Sequence, residues 1–342
     1  MAQRDKNAGN ALTRFGNNLY TGETSVPFVG KRKVWLSIAV VLMALAIAVP
    51  FIRGGGNPAE GFNFGIEFRG GSQFQVSGVD TTNPDLAAEA IAEVVEVEQV
   101  SVTQVGEDGL RVQTEAMTEA EGLEVAEVLG AAYGSADVGF SLVGPTWGAD
   151  ITRQALLGLG VFVGLALIIM AVYFRTWKMS IAAILGLAHV LVITIGVYAA
   201  TGFEISPAAV IGFLTILGFS LYDTVVVFDK IRENTSEMGD DSTRTFGETV
   251  NLAANQTLVR SINTAVVASL PVAAILVIGV GILGADTLRD ISLALLVGTV
   301  IGAYTTPFIA APLYAAFRAN EPEIARRDKR TLELREKSSV SA

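Results

Sequence analysis

Asp223 is the side chain whose position most needs a chemical explanation. From Pro207 to Phe228 the only ionisable side chains are Tyr222 and Asp223, in a run long enough to cross a bilayer. A carboxylate in hydrocarbon is costly and normally faces a partner or a water-filled path, so Asp223 is a candidate proton-coupling group. The competing reading puts it close enough to the interface to reach water. Asp229 lies about 9 Å further along the same helix, at its interfacial end, with Lys230, Arg232 and Arg260 as available partners.

Two more ionisable groups fall at comparable depth. Arg260 lies a few residues into a later apolar run that begins near Leu258, and His189 lies about 12 Å into another. In antiparallel spans an acid and a guanidinium in lipid should pair, and a titrating imidazole near them completes a set able to pass a proton. The alternative for Arg260 is snorkelling to the interface; for His189 it is a helix-to-helix hydrogen bond. Other chemistries are poorly served. With no cysteine and a single histidine, thiolate metal sites are excluded and a His-based one has no ligand set. No P-loop or serine-triad pattern occurs. A transporter built from this chain would draw on a gradient or a partner, with no cofactor and no ATP site of its own.

The elements that must hold these groups belong to a membrane protein. Mean hydropathy is +0.49, and 51% of residues are hydrophobic against 17% charged, with 35 glycines. A net charge of -10 gives no footprint for nucleic acid. Residues 1–33 form a polar segment ending in Lys31, Arg32 and Lys33. The apolar run 34–52 reads as an uncleaved first span, because no A-x-A cleavage pattern follows it. Residues 151–317 hold five further spans, near 151–174, 181–200, the Asp223 run, 257–279 and 291–317. A polar stretch from Asp229 to about Asn255 and a short loop with Asp286, Arg289 and Asp290 separate the last three. Residues 318–342 read as a solvated charged tail, its basic side chains suited to anionic lipid or a cytoplasmic partner. Basic clusters at 31–33, 175–178, 230–232 and 318–337 share one side if the spans alternate, which predicts cytoplasmic termini. Gly160-x-x-x-Gly164 and Gly298-x-x-x-Gly302 have the spacing of close helix contacts, and Gly212 and Gly218 are suited to tight crossing.

Residues 53–150 form a soluble insertion with seventeen Asp or Glu and three Arg or Lys, expected outside the membrane. Strands are predicted at Phe62–Ser77, Gln99–Val105, Gly109–Thr114 and Asp137–Val143. Helices are predicted from Pro84 to Val97, with proline in the first turn, and after Thr118, which with Glu121 makes a capping box. The order βαββαβ is the split-βαβ, ferredoxin-like arrangement. Its acidic helices read as solvated faces, since no polar cluster converges in sequence.

Several motifs resemble those of the SecD/SecF family, within the RND superfamily of proton-driven transporters. Phe64-Gly65-Ile66-Glu67-Phe68-Arg69-Gly70-Gly71 is similar to its F-G-I-D-F-x-G-G motif, with Glu67 where Asp is usual. Gly144-Pro145-Thr146-Trp147-Gly148 resembles its V-G-P-x-x-G element, and Arg260-Ser-Ile-Asn-Thr264 its R-x-x-x-T element. Tyr222-Asp-Thr-Val-Val-Val-Phe-Asp-Lys-Ile-Arg-Glu-Asn234 resembles the SecF-type signature, with Tyr222 in place of Asn, and Val190 follows His189 where the family often has Asp. The resemblance spans residues 31–318. It implies an RND-like half of six transmembrane helices with a ferredoxin-like domain, in a bacterial plasma membrane, assembled with SecD. It further implies a SecF-type, non-enzymatic role in protein transport: coupling the proton gradient to export of a preprotein through the SecYEG translocon. Asp223 and Arg260 match the family's membrane-embedded acid and arginine. Two other readings remain. One is a proton-coupled RND exporter of lipids or small molecules, whose usual architecture has about twice the spans and two exported domains. The other is a non-energetic translocase scaffold.

Overall fold

The computed structural model describes residues 11–79, 81–97, 100–105, 108–135, 137–174, 176–238, 242–280 and 288–340. Gln99, Arg175 and Asp286, named above, lie outside them. Among the described residues, six helical stretches are long and apolar enough to cross a membrane: Arg32–Arg53, Thr146–Phe174, Trp177–Thr201, Pro207–Ser236, Phe246–Gly279 and Arg289–Arg318. In chain order the helices are α1 (Ala11–Thr21), α2 (Arg32–Arg53), α3 (Ile66–Arg69), α4 (Asp85–Ala92), α5 (Glu119–Tyr133), α6 (Pro145–Phe174), α7 (Trp177–Thr201), α8 (Pro207–Ser236), α9 (Phe246–Ala274), α10 (Arg289–Thr305), α11 (Ala311–Arg318) and α12 (Pro322–Val340). The strands are β1 (Asn63–Phe64), β2 (Gly71–Ser77), β3 (Val100–Val105), β4 (Gly109–Thr114), β5 (Asp137–Val143) and β6 (Glu204–Ile205).

Local chemistry starts and interrupts these helices. The Ser206 side chain accepts the Ala209 N–H and Pro207 occupies the first turn, which opens α8. Pro271 removes a backbone donor within α9, and the helix widens into a π-helical turn at Ile275–Val280. A second π-helical turn, Thr306–Ala310 with Pro307 in it, joins α10 to α11 within the sixth span.

The spans pack through small residues where backbones cross closely. A Cβ at Gly298 would meet Ile216 at 2.5 Å, and one at Gly212 would meet Ala294 at 2.6 Å, so α8 and α10 lie in tight contact. Gly160 and Gly164 face open space, and Gly218 also has no neighbour within 4 Å. The first G-x-x-x-G therefore makes no close helix contact among the described residues; the spacing is the same, but its face of α6 is turned outward.

The sheet runs β3-β4-β2-β5, with every pairing antiparallel. With α4 and α5 on one face, this is the split-βαβ layout. Phe74, Val76, Leu110 and Val112 alternate inward to meet Ile91, Val125, Leu129 and Tyr133. The capping box at Thr118 and Glu121 is formed, and the hydrogen bond from Thr118 holds the Glu121 carboxyl below its ordinary range.

Three expectations need correction. Phe62–Ser77 is not one strand: the chain leaves β1 at Gly65, turns through α3, and starts β2 only after Gly70, whose φ is +76°. The left-handed turn requires glycine, and a Cβ at Gly71 would lie 2.6 Å from the Thr114 carbonyl. The helix predicted to reach Val97 ends at Ala92, with Pro84 as its cap residue and not inside the first turn. The charged tail is not a free solvated segment. Its helix α12 buries Ile324 and Thr331, and Asp328 accepts the backbone N–H of Phe246 at 2.7 Å. Arg335 pairs with Glu248 at 2.6 Å. The tail docks on the start of α9 because its few apolar and hydrogen-bonding side chains recur on one helix face.

Candidate functional site

Asp223 lies midway along α8 and faces α9 and α10. Its Oδ1 accepts a hydrogen bond from the Ser261 hydroxyl at 2.6 Å, while Oδ2 is buried without a well-formed hydrogen bond, the Thr306 hydroxyl being a further polar neighbour of the carboxylate. A cavity of about 40 Å³ adjoins it, its wall mostly apolar, with Ile216, Phe219, Ala265 and Ala268, and its polar groups Ser220, Asp223, Ser261, Thr264 and Thr299. That is room for a water or two beside hydroxyls able to bind it. Thr306, the first residue of the π-helical turn in the sixth span, bonds Thr224 at 3.2 Å one residue along from Asp223. The acid thus sits where three spans meet, beside an irregular turn of the kind often found at functional sites. Gly302 lies opposite Ser220, where an added Cβ would sit in ordinary contact at 3.6 Å.

The expected ion pair with Arg260 is not made. No Asp223–Arg260 salt bridge occurs among the described residues, and Arg260 bears on Asp223 only through space. Arg260 is exposed on the outer side of α9, where its Nη2 donates to the Tyr222 hydroxyl at 3.3 Å. Successive residues point about 100° apart around a helix, so when Ser261 faces the cleft its neighbour Arg260 must face away. Tyr222, itself 55% exposed, is what the arginine meets instead.

His189 is buried on α7 and its Nε2 is 3.0 Å from the Tyr304 hydroxyl on α10, the two rings meeting edge to face. It does not line the Asp223 cavity. Asp229 does not pair with Lys230, Arg232 or Arg260. It accepts from the Tyr173 hydroxyl at 3.4 Å, while Lys230 pairs with Glu233 at 2.7 Å and Arg232 donates to the Tyr173 carbonyl at 3.3 Å.

At the other end of the spans a second polar cluster joins the sheet domain to the bundle. β1 runs parallel to β6, with Asn63 opposite Glu204 and Phe64 opposite Ile205. Gly65 allows this approach, since a Cβ there would lie 2.5 Å from Glu67 and 2.8 Å from Glu204. Glu204 accepts from Arg111 at 3.0 Å and from Gln113 at 2.8 Å, and Gln113 also donates to Gln73 at 3.0 Å. Arg111 and Gln113 occupy alternate positions of β4, on the face turned away from α4 and α5. Two residues after Glu204, Ser206 donates to the Asp290 carboxylate at 2.6 Å at the start of α10. The helix carrying Asp223 is therefore tied at its first turn both to the sixth span and to the sheet. Gly148 packs on the Phe68 carbonyl, so the segment that Gly144 and Pro145 open sits against the Phe64–Gly71 motif. Sequence reasoning missed Glu204, Arg111 and Gln113. The available signals were a carboxylate in the short turn between two spans and one of only three basic residues in an acidic domain.

Known proteins share this chain's sequence and fold. A family profile described as "Protein export membrane protein SecD/SecF, C-terminal" matches residues 127–320, and the "SecD/SecF GG Motif" matches residues 59–78. The chain belongs to the SecD/SecF family. It is 41% identical to the "Protein translocase subunit SecF" of Streptomyces coelicolor over 331 residues, covering 95% of this chain and 85% of that protein. Against the SecF of Mycobacterium tuberculosis strain H37Rv the identity is 37%, covering 95% and 74% of the two chains. The crystal structure of SecDF, a translocon-associated membrane protein from Thermus thermophilus, superposes with a TM-score of 0.76 at 29% identity. That match covers 87% of this chain and 39% of the SecDF chain. The six apolar helices and these relatives make the protein a multi-pass membrane protein of the export family. Within it, the glycines of the GG motif are Gly70 and Gly71, which turn the chain from the membrane into β2.

Proposed function

We propose that this chain is the SecF-type half of a protein-export assembly, pairing with SecD and using the proton gradient to promote preprotein movement through SecYEG. The termini lie in the cytoplasm and the sheet domain outside, the orientation that places the basic clusters inward. The observation that carries the reading is Asp223: a carboxylate where three spans meet, one oxygen held by Ser261 and the other buried without a hydrogen bond beside a small, mostly apolar cavity into which a few hydroxyls reach. Water in that cavity would carry a proton to Oδ2. A protonated Asp223 no longer offers Ser261 a charged acceptor, so the α8–α9 contact weakens when the proton arrives and tightens when it leaves. From α8 the motion reaches the sheet domain through Ser206 and Glu204.

Arg260 supports the partnership. An arginine exposed within an apolar span is costly against lipid, so its face calls for a covering subunit. A SecD-type half set there would cover it, and the Thermus thermophilus relative named SecDF is 30% identical over a region that makes up 38% of its own length.

The test is export in vesicles containing SecD and SecYEG under an imposed proton gradient. Asp223→Asn should assemble with SecD and lose gradient-dependent stimulation, whereas Arg260→Met should act on the association with SecD. Undiminished stimulation by Asp223→Asn would make the carboxylate structural.

A further inference from the structure

At the end of the bundle where α1 and α12 lie, a cavity of about 910 Å³ opens between the segment from Gly22 to Val34, the start of α9, and α12. Its charged lining is one-sided. Lys31, Arg32, Lys33, Arg244 and Arg335 face it against one carboxylate, Glu248, and that carboxylate is held by Arg335. Lys31, Arg32, Lys33 and Arg244 make no ion pair among the described residues. The cavity is therefore strongly positive, and Pro27, Val29, Val34 and Leu252 add an apolar part.

Its place relative to the membrane limits what fits. Three of the cations are Lys31, Arg32 and Lys33, and α2 begins at Arg32, so the cavity lies at the plane where the first span enters the bilayer. Val34, on the cavity wall, begins an exposed stripe that continues through Ile38, Val41 and Leu45. These positions recur every three to four residues and so form one face of α2 running into the hydrocarbon. A positive cavity at headgroup level, leading onto an exposed apolar track, matches a phosphodiester with acyl chains attached.

We propose that this cavity binds the headgroup of an anionic phospholipid from the leaflet on the termini's side, with its chains laid along the Val34–Leu45 face. Lys33 and Arg244 hold the phosphate from opposite walls, one on α2 and one before α9. The lipid thereby ties the first span to the α9 start, on which α12 is also docked. The proposal is independent of the proton-coupling reading, because none of its residues touches the Asp223 cleft.

The experiment is native mass spectrometry of the full chain in detergent, titrated with phosphatidylglycerol and, separately, phosphatidylcholine. The parent should retain phosphatidylglycerol selectively. Each surface cation contributes about fivefold to anionic-lipid affinity, so Lys33→Gln with Arg244→Gln should lower retention by about 25-fold. The charge-preserving pair Lys33→Arg with Arg244→Lys should retain it. A control removing equal charge from α12 outside the cavity, Arg326→Gln with Lys329→Gln, should change it little. The Arg244→Gln single variant leaves the cluster before the first span intact, so loss of folding or reversed insertion would not mimic the result. Equal loss in the α12 control, or unchanged retention in the cavity double variant, would overturn the proposal. So would displacement of the lipid by millimolar inorganic phosphate, which would make this a soluble-phosphate site.

Discussion

Replacing Arg111 by methionine tests whether the sheet domain is latched to the membrane bundle by charge. Arg111 and Glu204 are 3.0 Å apart, with side chains only 15% and 12% exposed. At that separation and an effective dielectric of about 20, the gross attraction is about 5 kcal/mol. Desolvation of two nearly buried ions offsets much of it. A coupling of about 2 kcal/mol is therefore expected, above the range for exposed pairs and below that for breaking a fully buried one. That corresponds to a roughly 30-fold fall in the ratio of docked to released domain. The chain contains no cysteine, so two can be introduced and spin-labelled without background. Ala59, on the segment folded against the end of α2, and Glu127, exposed on α5, suit the purpose. Distance distributions across a mild urea series should show Arg111→Met releasing at lower urea than the parent. Glu204→Gln should release similarly, and the double variant should be little worse than either single. Identical distributions for Arg111→Met and the parent, or costs that simply add in the double variant, would refute the latch.

Three further predictions follow from packing and charge. Gly298→Ala should lower thermal stability by about 1–3 kcal/mol, because its Cβ meets Ile216 at 2.5 Å, whereas Gly160→Ala, which faces open space, should be tolerated; thermal unfolding in detergent separates them. His189→Ala should lower stability by opening a gap under Tyr304 while leaving the pH profile of export unchanged, since His189 does not line the Asp223 cavity; a shifted profile would return it to the proton path. Glu321 is held below its ordinary pKa by Arg318, bonded at 2.7 Å, with Lys178 adding to the effect. A depressed carboxylate stabilises the folded state above its unfolded pKa and loses that contribution as pH falls through its folded pKa. Protease sensitivity of α12 should therefore rise below the ordinary carboxylate range, and Glu321→Gln should be sensitive at neutral pH.

Features written in local pattern were legible without coordinates. A span needs only length and apolarity, so the six membrane helices could be counted from the sequence. The capping box is four residues long, and the strands and helices of the sheet domain follow from periods of two and 3.6. The GG and Asp223 motifs carried the family resemblance for the same reason. What the sequence could not decide was which face each residue presents and what lies opposite. Arg260 and Ser261 are adjacent, and both could bond a carboxylate; only the rotation of α9 against α8 assigns Ser261 to Asp223 and sends Arg260 outward to Tyr222. Two G-x-x-x-G motifs read alike, yet Gly298 is pressed against Ile216 and Gly160 against nothing. Glu204 finds Arg111 across 93 positions of chain, and α12 finds the start of α9, because packing places those faces together. Spacing along a chain fixes an element and its stripe, but a stripe has no address until a second surface meets it. That meeting depends on the summed packing of the whole bundle, which no window of sequence contains.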